Sequence, residues 1–302
     1  MTELKFRTEI DFDYDVPREV TKGVTRIVAN NPSVFTFKGT NTYILGEGDD
    51  LALIDPGPED DAHFDAIMQY VGQRRISHIL ITHTHMDHID GLPRLAAATG
   101  ATVCGYGRVG RESGTISTSP SGAESYDLAF TPDLKLSDGD EVAGSDWAVK
   151  ALFTPGHAPD HLSFELKDRK VLFSGDHVMG WNTSVVAPPE GNMSDYLASL
   201  EKLLDRSDDV YFPGHGGRIE QPQRFAKAYL VHRRWREQAI MSAIENGNTN
   251  ITKIVAVVYK NLDPRLVRAA SLSVQAHVEH LAEQSKVKVA EPLTFESTLT
   301  LA

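Results

Sequence analysis

The sequence predicts an α+β protein in which two sheets pack face to face with helices outside, followed by a smaller helical domain. Three observations carry that expectation. Short β-branched and aromatic runs alternate with turn residues from Val24 to Ile54, the same strand-and-turn text returns after Trp147, and from about Gln221 the apolar residues recur at helical spacing instead. A chain of 302 residues, 41% hydrophobic and 24% charged, can bury a sizeable core.

In chain order, "VTRIVAN", "VFTF", "TNTYILG" and "LALIDPG" read as strands of an antiparallel sheet, because each is rich in β-formers and bounded by Gly, Asn or Pro. After "DPGPED", Phe64, Ile67, Met68 and Val71 fall at helical spacing and predict a helix over 63–73. The run "ISHILIT" reads as a buried strand, and a second helix is expected after Gly91. Residues 106–126, "YGRVGRESGTISTSPSGAESY", are rich in Gly and Ser and predict a long loop, either a surface excursion or a lid over a site. Strands follow in "WAVKALF", "HLSFELKD" and "KVLFSGD", then a helix over 194–204 and a strand in "DVYFPGHG". The tail reads as three helical stretches: "QRFAKAYLVHRRWREQAIMSAIENG", "NITKIVAVVYKN" and "PRLVRAASLSVQAHVEHLAEQSKVKVA". The charge balance changes with the text. Residues 222–302 hold 11 Lys or Arg against 7 Asp or Glu, a balance of +4, whereas residues 1–221 hold 19 against 35, a balance of −16. The expected division is a domain over 1–221 and a second over 222–302.

A net charge of −12 disfavours a surface built throughout for nucleic acid or anionic membrane. The single cysteine, Cys104, rules out an intramolecular disulfide framework and a cysteine-rich zinc module, and it suits a reducing compartment. The first residues lack the basic and apolar regions of a secretory signal, and no apolar run approaches the ~20 residues needed to span a bilayer. The sequence therefore predicts a cytoplasmic protein with no membrane partner.

The densest chemistry is in "LITHTHMDHIDG", where His83, His85, Asp87 and His88 follow directly on an apolar run. On a loop past a strand, alternate residues can converge on one point, and imidazole with carboxylate suits Zn²⁺ and its divalent neighbours. Three more runs each deliver one potential ligand beside a Gly at a strand end: His157 in "FTPGH", Asp176 in "LFSGD" and His215 in "YFPGHG". Seven ligands exceed what one tetrahedral zinc takes, whereas a pair of ions bridged by a carboxylate uses them all. His63, His78, His232, His277 and His280 stand in helical or strand contexts, with no clustering and no claim on metal.

With these residues in order, the text resembles the metallo-β-lactamase fold superfamily over roughly residues 24–220. The HxHxDH signature stands as His83 to His88, and the later His, Asp and His match His157, Asp176 and His215. The resemblance implies an αββα four-layer sandwich. It implies one divalent ion on His83, His85 and His157, a second on Asp87, His88 and His215, and Asp176 as the bridge. Asp55 in "LIDPG" matches an aspartate behind the ligand loop, with a role in orienting ligands or simply as a turn residue before Pro56. His161 is read either as a further orienting or substrate-touching group or as a hydrogen-bonded histidine at a strand start. Two ions ~3.5–4 Å apart can share a water, lower its pKa toward ~7 and polarise an acyl or phosphoryl oxygen. Asp87 is the expected catalytic residue, orienting the bridging hydroxide and passing a proton to the leaving group.

Asp176 stands where the β-lactamases of this fold usually carry Cys or Ser, which turns the expectation away from antibiotic hydrolysis. Only 38 residues separate Asp176 from His215, too few for the inserted domain of the large nuclease branches. The motifs "GTNTYILG", "TPGHAPDHLSF" and "YFPGHGG", with a tail of about 80 residues, resemble the lactamase-beta-like protein 2 branch, also called endoribonuclease lactamase-β-like. That resemblance implies a small winged-helix-like C-terminal domain. The leading expectation is a dinuclear metal-dependent hydrolase of an ester, thioester, lactone or similar small substrate. The ions are expected to be zinc, with manganese and iron as alternatives. Two other readings stay open: a metal-dependent endoribonuclease on single-stranded RNA, for which Arg233, Arg234, Arg236 and Lys253 offer positive charge, and a winged-helix nucleic-acid-binding protein with a structural or sensing metal. The helical tail can equally form a homodimer contact.

Overall fold

The computed structural model describes residues 6–107, 117–118, 125–126, 129–167, 169–290 and 292–302. The chain runs β1 (Arg18–Thr21), β2 (Val24–Val28), β3 (Asn41–Leu45), β4 (Asp50–Ile54), α1 (Asp61–Val71), β5 (Arg75–Leu80), α2 (Met86–Ile89), α3 (Leu92–Thr99) and β6 (Thr102–Gly105). Short strands β7 (Ser117–Thr118), β8 (Ser125–Tyr126), β9 (Leu134–Lys135) and β10 (Glu141–Ala143) lead to β11 (Ala148–Phe153), β12 (Leu162–Leu166) and β13 (Val171–Gly175). Then come α4 (Met193–Leu204), β14 (Val210–Pro213), β15 (Ile219–Glu220), α5 (Pro222–Glu245), α6 (Ile251–Val258), α7 (Val267–Glu283), β16 (Val287–Val289) and β17 (Leu299–Leu301). The expected loop over 106–126 lies largely outside the described residues.

Backbone contacts divide the chain into two units. The first comprises Met1–Thr154, Asp160–Ser184 and Arg206–Phe225. It holds a seven-stranded sheet, β1-β2-β3-β4-β5-β6-β9, and a six-stranded sheet, β10-β11-β12-β13-β14-β15. The expected antiparallel order holds from β1 to β4, after which β4, β5 and β6 run parallel, each joined to the next through a helical crossover.

Strand periodicity explains the layers. In β3 and β4, Tyr43, Leu45, Ala52 and Ile54 point to one face and pack with Phe164, Phe173 and Phe212 of the second sheet. The alternate residues Ile44, Leu51 and Leu53 pack with Ile67 and Val71 of α1 and with Leu95 of α3. Both faces are covered, so these strands read as continuous apolar runs. Cys104, on β6, is fully buried in the core between the sheets, and burial pushes its thiol up to about 12, which keeps it in the unreactive form.

"VFTF" is not a strand. Ser33 Oγ accepts from the amides of Phe35 and Thr36, Thr36 Oγ1 donates to the Asn31 carbonyl, and Phe37 turns through a positive φ of 56°. Local side-chain hydrogen bonds outcompete the β propensity of Val and Phe here.

The second unit comprises Pro155–Pro159, Val185–Asp205 and Ala226–Ala302. Its core joins Ile240 and Ile244 of α5, Ile251 and Ile254 of α6, and Val274, Val278 and Leu281 of α7 to Val287 and Leu299 of an antiparallel β16–β17 hairpin. "KVKV" reads as helical text in the sequence and is a strand instead. Ser285 adopts φ 55° and ends α7, its amide bonding the Ala282 carbonyl, and Val287 and Val289 then alternate in β fashion. Among the described residues no helix is long and apolar enough to cross a membrane.

Candidate metal centre

Every element that carries a predicted ligand ends at the same kind of place. β5 stops at Leu80 before His83, β13 stops at Gly175 before Asp176, and β14 stops at Pro213 before His215. β13 and β14 pair in parallel with Gly175 opposite Pro213, which sets Asp176 and His215 side by side. Asp87 and His88 lie on the short turn of α2.

Within the first unit, two triplets bring one ligand-capable atom each within 4.8 Å of the others: His83, His88 and Asp176; and Asp87, His88 and His215. Five of the seven predicted positions are in these groups, His85 lies beside His83, and His157 belongs to the second unit. His215 Nε2 lies 3.1 Å from Asp87 Oδ2 and 3.2 Å from Asp176 Oδ2. His88 Nε2 lies 3.5 Å from Asp87 and 3.6 Å from Asp176. Imidazole nitrogen and carboxylate oxygen are the donors that zinc, manganese and iron accept, so the residues fit a divalent cation.

Hydrogen-bond counting fixes which ring atom each histidine presents. Thr82 Oγ1 gives its only hydrogen to Asp55 Oδ2 at 2.7 Å, so it accepts from Nδ1–H of His83 at 2.9 Å. His88 donates from Nδ1 to Asp55 Oδ2 at 2.9 Å, His215 from Nδ1 to the Gly39 carbonyl at 3.1 Å, and His157 from Nδ1 to the Val185 carbonyl at 2.6 Å. Each of these four rings thereby presents Nε2 as the ligand atom, held by a partner behind it. His85 differs: its Nδ1 approaches His83 Nε2 at 2.7 Å.

Asp55 is 2% exposed and accepts from the Thr82 amide at 2.8 Å, from Thr82 Oγ1 and from His88. Its positive φ of 53° aims the carboxylate back toward these donors. His161 accepts from the Asp176 amide at 3.2 Å through Nε2 and donates from Nδ1 to Thr154 Oγ1 at 2.9 Å. Both residues therefore touch the groups that carry ligands.

Sequence reasoning missed three parts of this scaffold. Thr82 links Asp55 to His83. Thr40 donates to Asp87 Oδ2 at 3.4 Å. Asn41 donates from its amide to the carbonyls of Pro213 and Gly216, both at 2.9 Å, and so clamps the turn on either side of His215. The only signal was the position of Thr40 and Asn41 in "GTNTY", next to no metal-binding residue type.

The electrostatics of these side chains follow from their crowding. Burial works against a charged His215, but the facing carboxylates of Asp176 and Asp87 outweigh it and hold the imidazole up to about 10. Burial likewise opposes charge on His88, and Asp87 and Asp176 overcome it, raising that group well above its ordinary value. Against the same burial, His88 and His215 hold Asp87 and Asp176 below the usual carboxylate range. The raised His215 stabilises the fold fully below its unfolded value of 6.5, and that contribution is lost as pH climbs through about 10. The depressed aspartates contribute above 3.8 and lose it as pH falls. Chelated protein is therefore expected to melt at progressively lower temperature from pH 7 to pH 10, read by scanning fluorimetry at fixed ionic strength; a flat profile contradicts the pairing.

Gly214 separates the ligand atoms. A Cβ there would sit 2.4 Å from Asp176 Oδ1 and 2.6 Å from His88 Cε1. Gly214→Ala must displace one of them, and the expected result is a roughly 10–100-fold loss of metal affinity with the chain still folded, measured by titration of chelated protein.

A family model described as "Metallo-beta-lactamase superfamily" matches residues 35–215, and one described as "Beta-lactamase associated winged helix domain" matches residues 251–292. The "Beta-lactamase-like protein 2 homolog" of Drosophila melanogaster is 34% identical over 279 residues, covering 90% of this chain and 92% of that protein. The "Atrochrysone carboxyl ACP thioesterase" of Aspergillus fumigatus is 31% identical over 229 residues, covering 74% of this chain and 65% of that one. Among solved structures, a metallo-beta-lactamase family protein from Thermus thermophilus superposes with a TM-score of 0.74 at 22% identity, covering 94% of this chain and 100% of that chain.

Proposed function

We propose, because this chain belongs to the metallo-β-lactamase superfamily of metal-dependent hydrolases, that its seven candidate donors hold two divalent ions and that it hydrolyses a small acyl substrate, a thioester, ester or lactone. The observation that carries the reading is that the donors form more than one group: His83, His88 and Asp176 stand in one triplet and Asp87, His88 and His215 in another, with His85 Nδ1 beside His83 Nε2. One ion would take His83, His85 and His157 and one Asp87, His88 and His215, as the family resemblance implies, with Asp176 reaching both; the imidazole-rich set favours zinc, with manganese or iron accepted. The division into a catalytic domain over 1–221 and a winged-helix-like domain over 222–302 belongs to the same proposal, supported by matched spans that fall on either side of it.

When bound, such ions supply Lewis acidity and lower the pKa of a coordinated water toward neutrality. The chain's own groups do the rest. Asp87 is the carboxylate that meets solvent, its side chain 23% exposed against 5% for Asp176, so it is the one placed to exchange a proton with an incoming substrate. Thr40 and His215 hold one of its oxygens, Oδ2, which leaves Oδ1 to orient the nucleophile and to carry the proton to the leaving group. Asp176 is fixed through its own amide by His161 and keeps its carboxylate against His215 and His88.

The acyl substrate class is supported by the acidity of residues 1–221 and by the thioesterase among the relatives. The test is a panel of thioesters, lactones, phosphodiesters and short single-stranded RNAs, assayed with zinc, manganese or iron restored to chelated protein. Metal-dependent turnover of thioesters or lactones is expected. Cleavage confined to RNA replaces the acyl substrate with the endoribonuclease reading. Salt-dependent nucleic-acid binding without any turnover replaces hydrolysis with a binding role.

A further inference from the structure

His63 lies outside the ligand set and is 1% exposed, in the first turn of α1. Its two ring nitrogens are both engaged. Thr42, itself fully buried on β3, gives its only hydroxyl hydrogen to the Asp55 carbonyl at 2.6 Å, so Nε2–H of His63 donates to Thr42 Oγ1 at 2.9 Å. On the other side, Nδ1 meets the Asp15 carboxyl at 3.0 Å, and the Asp15 side chain is 18% exposed. The path continues from Asp55 Oδ2 to His88 Nδ1 at 2.9 Å. A hydrogen-bonded series thus runs from a solvent-touching carboxyl, through the main chain and then the side chain of Asp55, to a predicted metal ligand.

Two independent features show that the backbone is shaped around this path. Asp15 and Asp55, its two aspartates, adopt φ of 55° and 53°, a left-handed conformation that non-glycine residues keep only where the surroundings hold it. Gly57 has φ 82°, and a Cβ on it would come within 3.0 Å of His63 Nε2 and 3.5 Å of Thr42 Oγ1. Only glycine leaves the imidazole room to reach the hydroxyl.

We propose that Asp15, His63 and Thr42 form a buried positioning relay that holds the Asp55 turn in place and, through Asp55, sets the orientation of His88 for the second ion. This role rests on the ligand assignment above. The relay bears first on the second ion, because Asp55 meets His88 directly and reaches His83 only through Thr82, while His215 and His157 are oriented by the Gly39 and Val185 carbonyls. A general loosening of the fold would not show that selectivity.

The test is metal titration of chelated wild type, Thr42→Val and Thr42→Ser, with the two binding steps resolved by calorimetry and total metal checked by elemental analysis. Wild type is expected to bind two zinc ions per chain. Thr42→Val keeps the branched shape and loses the hydroxyl, and one of its two binding steps is expected to weaken about tenfold with a smaller change in the other. Thr42→Ser restores the hydroxyl and should bind as wild type. Equal binding by the valine variant overturns the relay, as does a serine variant as weak as valine. Should Thr42→Val not fold, Asp15→Asn tests the same path from its solvent end: selective loss of the second ion supports the relay and unchanged binding overturns it. A wild type that holds fewer than two ions overturns the ligand assignment itself, and this role with it.

Discussion

Asp87→Ala is expected to lower turnover by at least ~10³-fold while the chain stays folded. On the proposed function the carboxylate has two roles, and alanine removes both. It completes the second triplet with His88 and His215, and it is the solvent-facing proton carrier of the cluster. The fold survives because Asp87 lies on the short α2 turn rather than in either sheet core, and its loss opens no apolar cavity. Asp87→Asn separates the functions. The amide keeps an oxygen donor in the same place but cannot take up a proton, so more of the second ion is retained while turnover still falls by ~10² or more. Circular dichroism, metal content and kcat on whichever substrate the panel identifies check all three points. Wild-type turnover in either variant contradicts the role given to Asp87.

Asp55→Ala is expected to cost about 3–5 kcal/mol of stability, a drop of about 10 °C in Tm, together with a roughly 10–100-fold loss of affinity for the second ion. Three buried donors lose their acceptor at once: the Thr82 amide, Thr82 Oγ1 and His88 Nδ1. Alanine must also adopt the positive φ of 53°, which aspartate and asparagine tolerate better. Asp55→Asn therefore isolates the charge from the backbone conformation and should recover part of the stability but little of the metal affinity. Thermal melts of chelated and metal-loaded protein measure both quantities, and an alanine variant with wild-type Tm in both states contradicts the support given to this turn.

The parts of this molecule that were legible in its sequence are those where one local pattern carries one physical demand. A ligand at a strand end reads as an apolar run, a glycine and a His or Asp, and this is how "LFSGD" and "YFPGHG" announce themselves. The alternation of Tyr43, Ile44 and Leu45 between two covered faces likewise needs only strand geometry. What was hidden depends on partners far away in the chain. Asn41 reaches carbonyls 172 and 175 residues on, and nothing about an asparagine in a strand signals a clamp on a histidine turn. His63 looks like an ordinary helix residue until Asp15 and Thr42 stand on either side of it. "VFTF" misled because β propensity is weaker than the hydrogen bonds of Ser33 and Thr36, and "KVKV" because a left-handed Ser285 ends a helix whose text otherwise continues.

On the proposed function, seven side chains from four separate stretches enclose a pair of cations. Anomalous diffraction from crystals of zinc- or manganese-loaded protein is the sharpest check of that arrangement. Two peaks are expected, one within bonding distance of His83, His85 and His157, the other within bonding distance of Asp87, His88 and His215, with Asp176 reaching both. A single peak, or peaks that leave His215 or Asp176 without a metal neighbour, would contradict it.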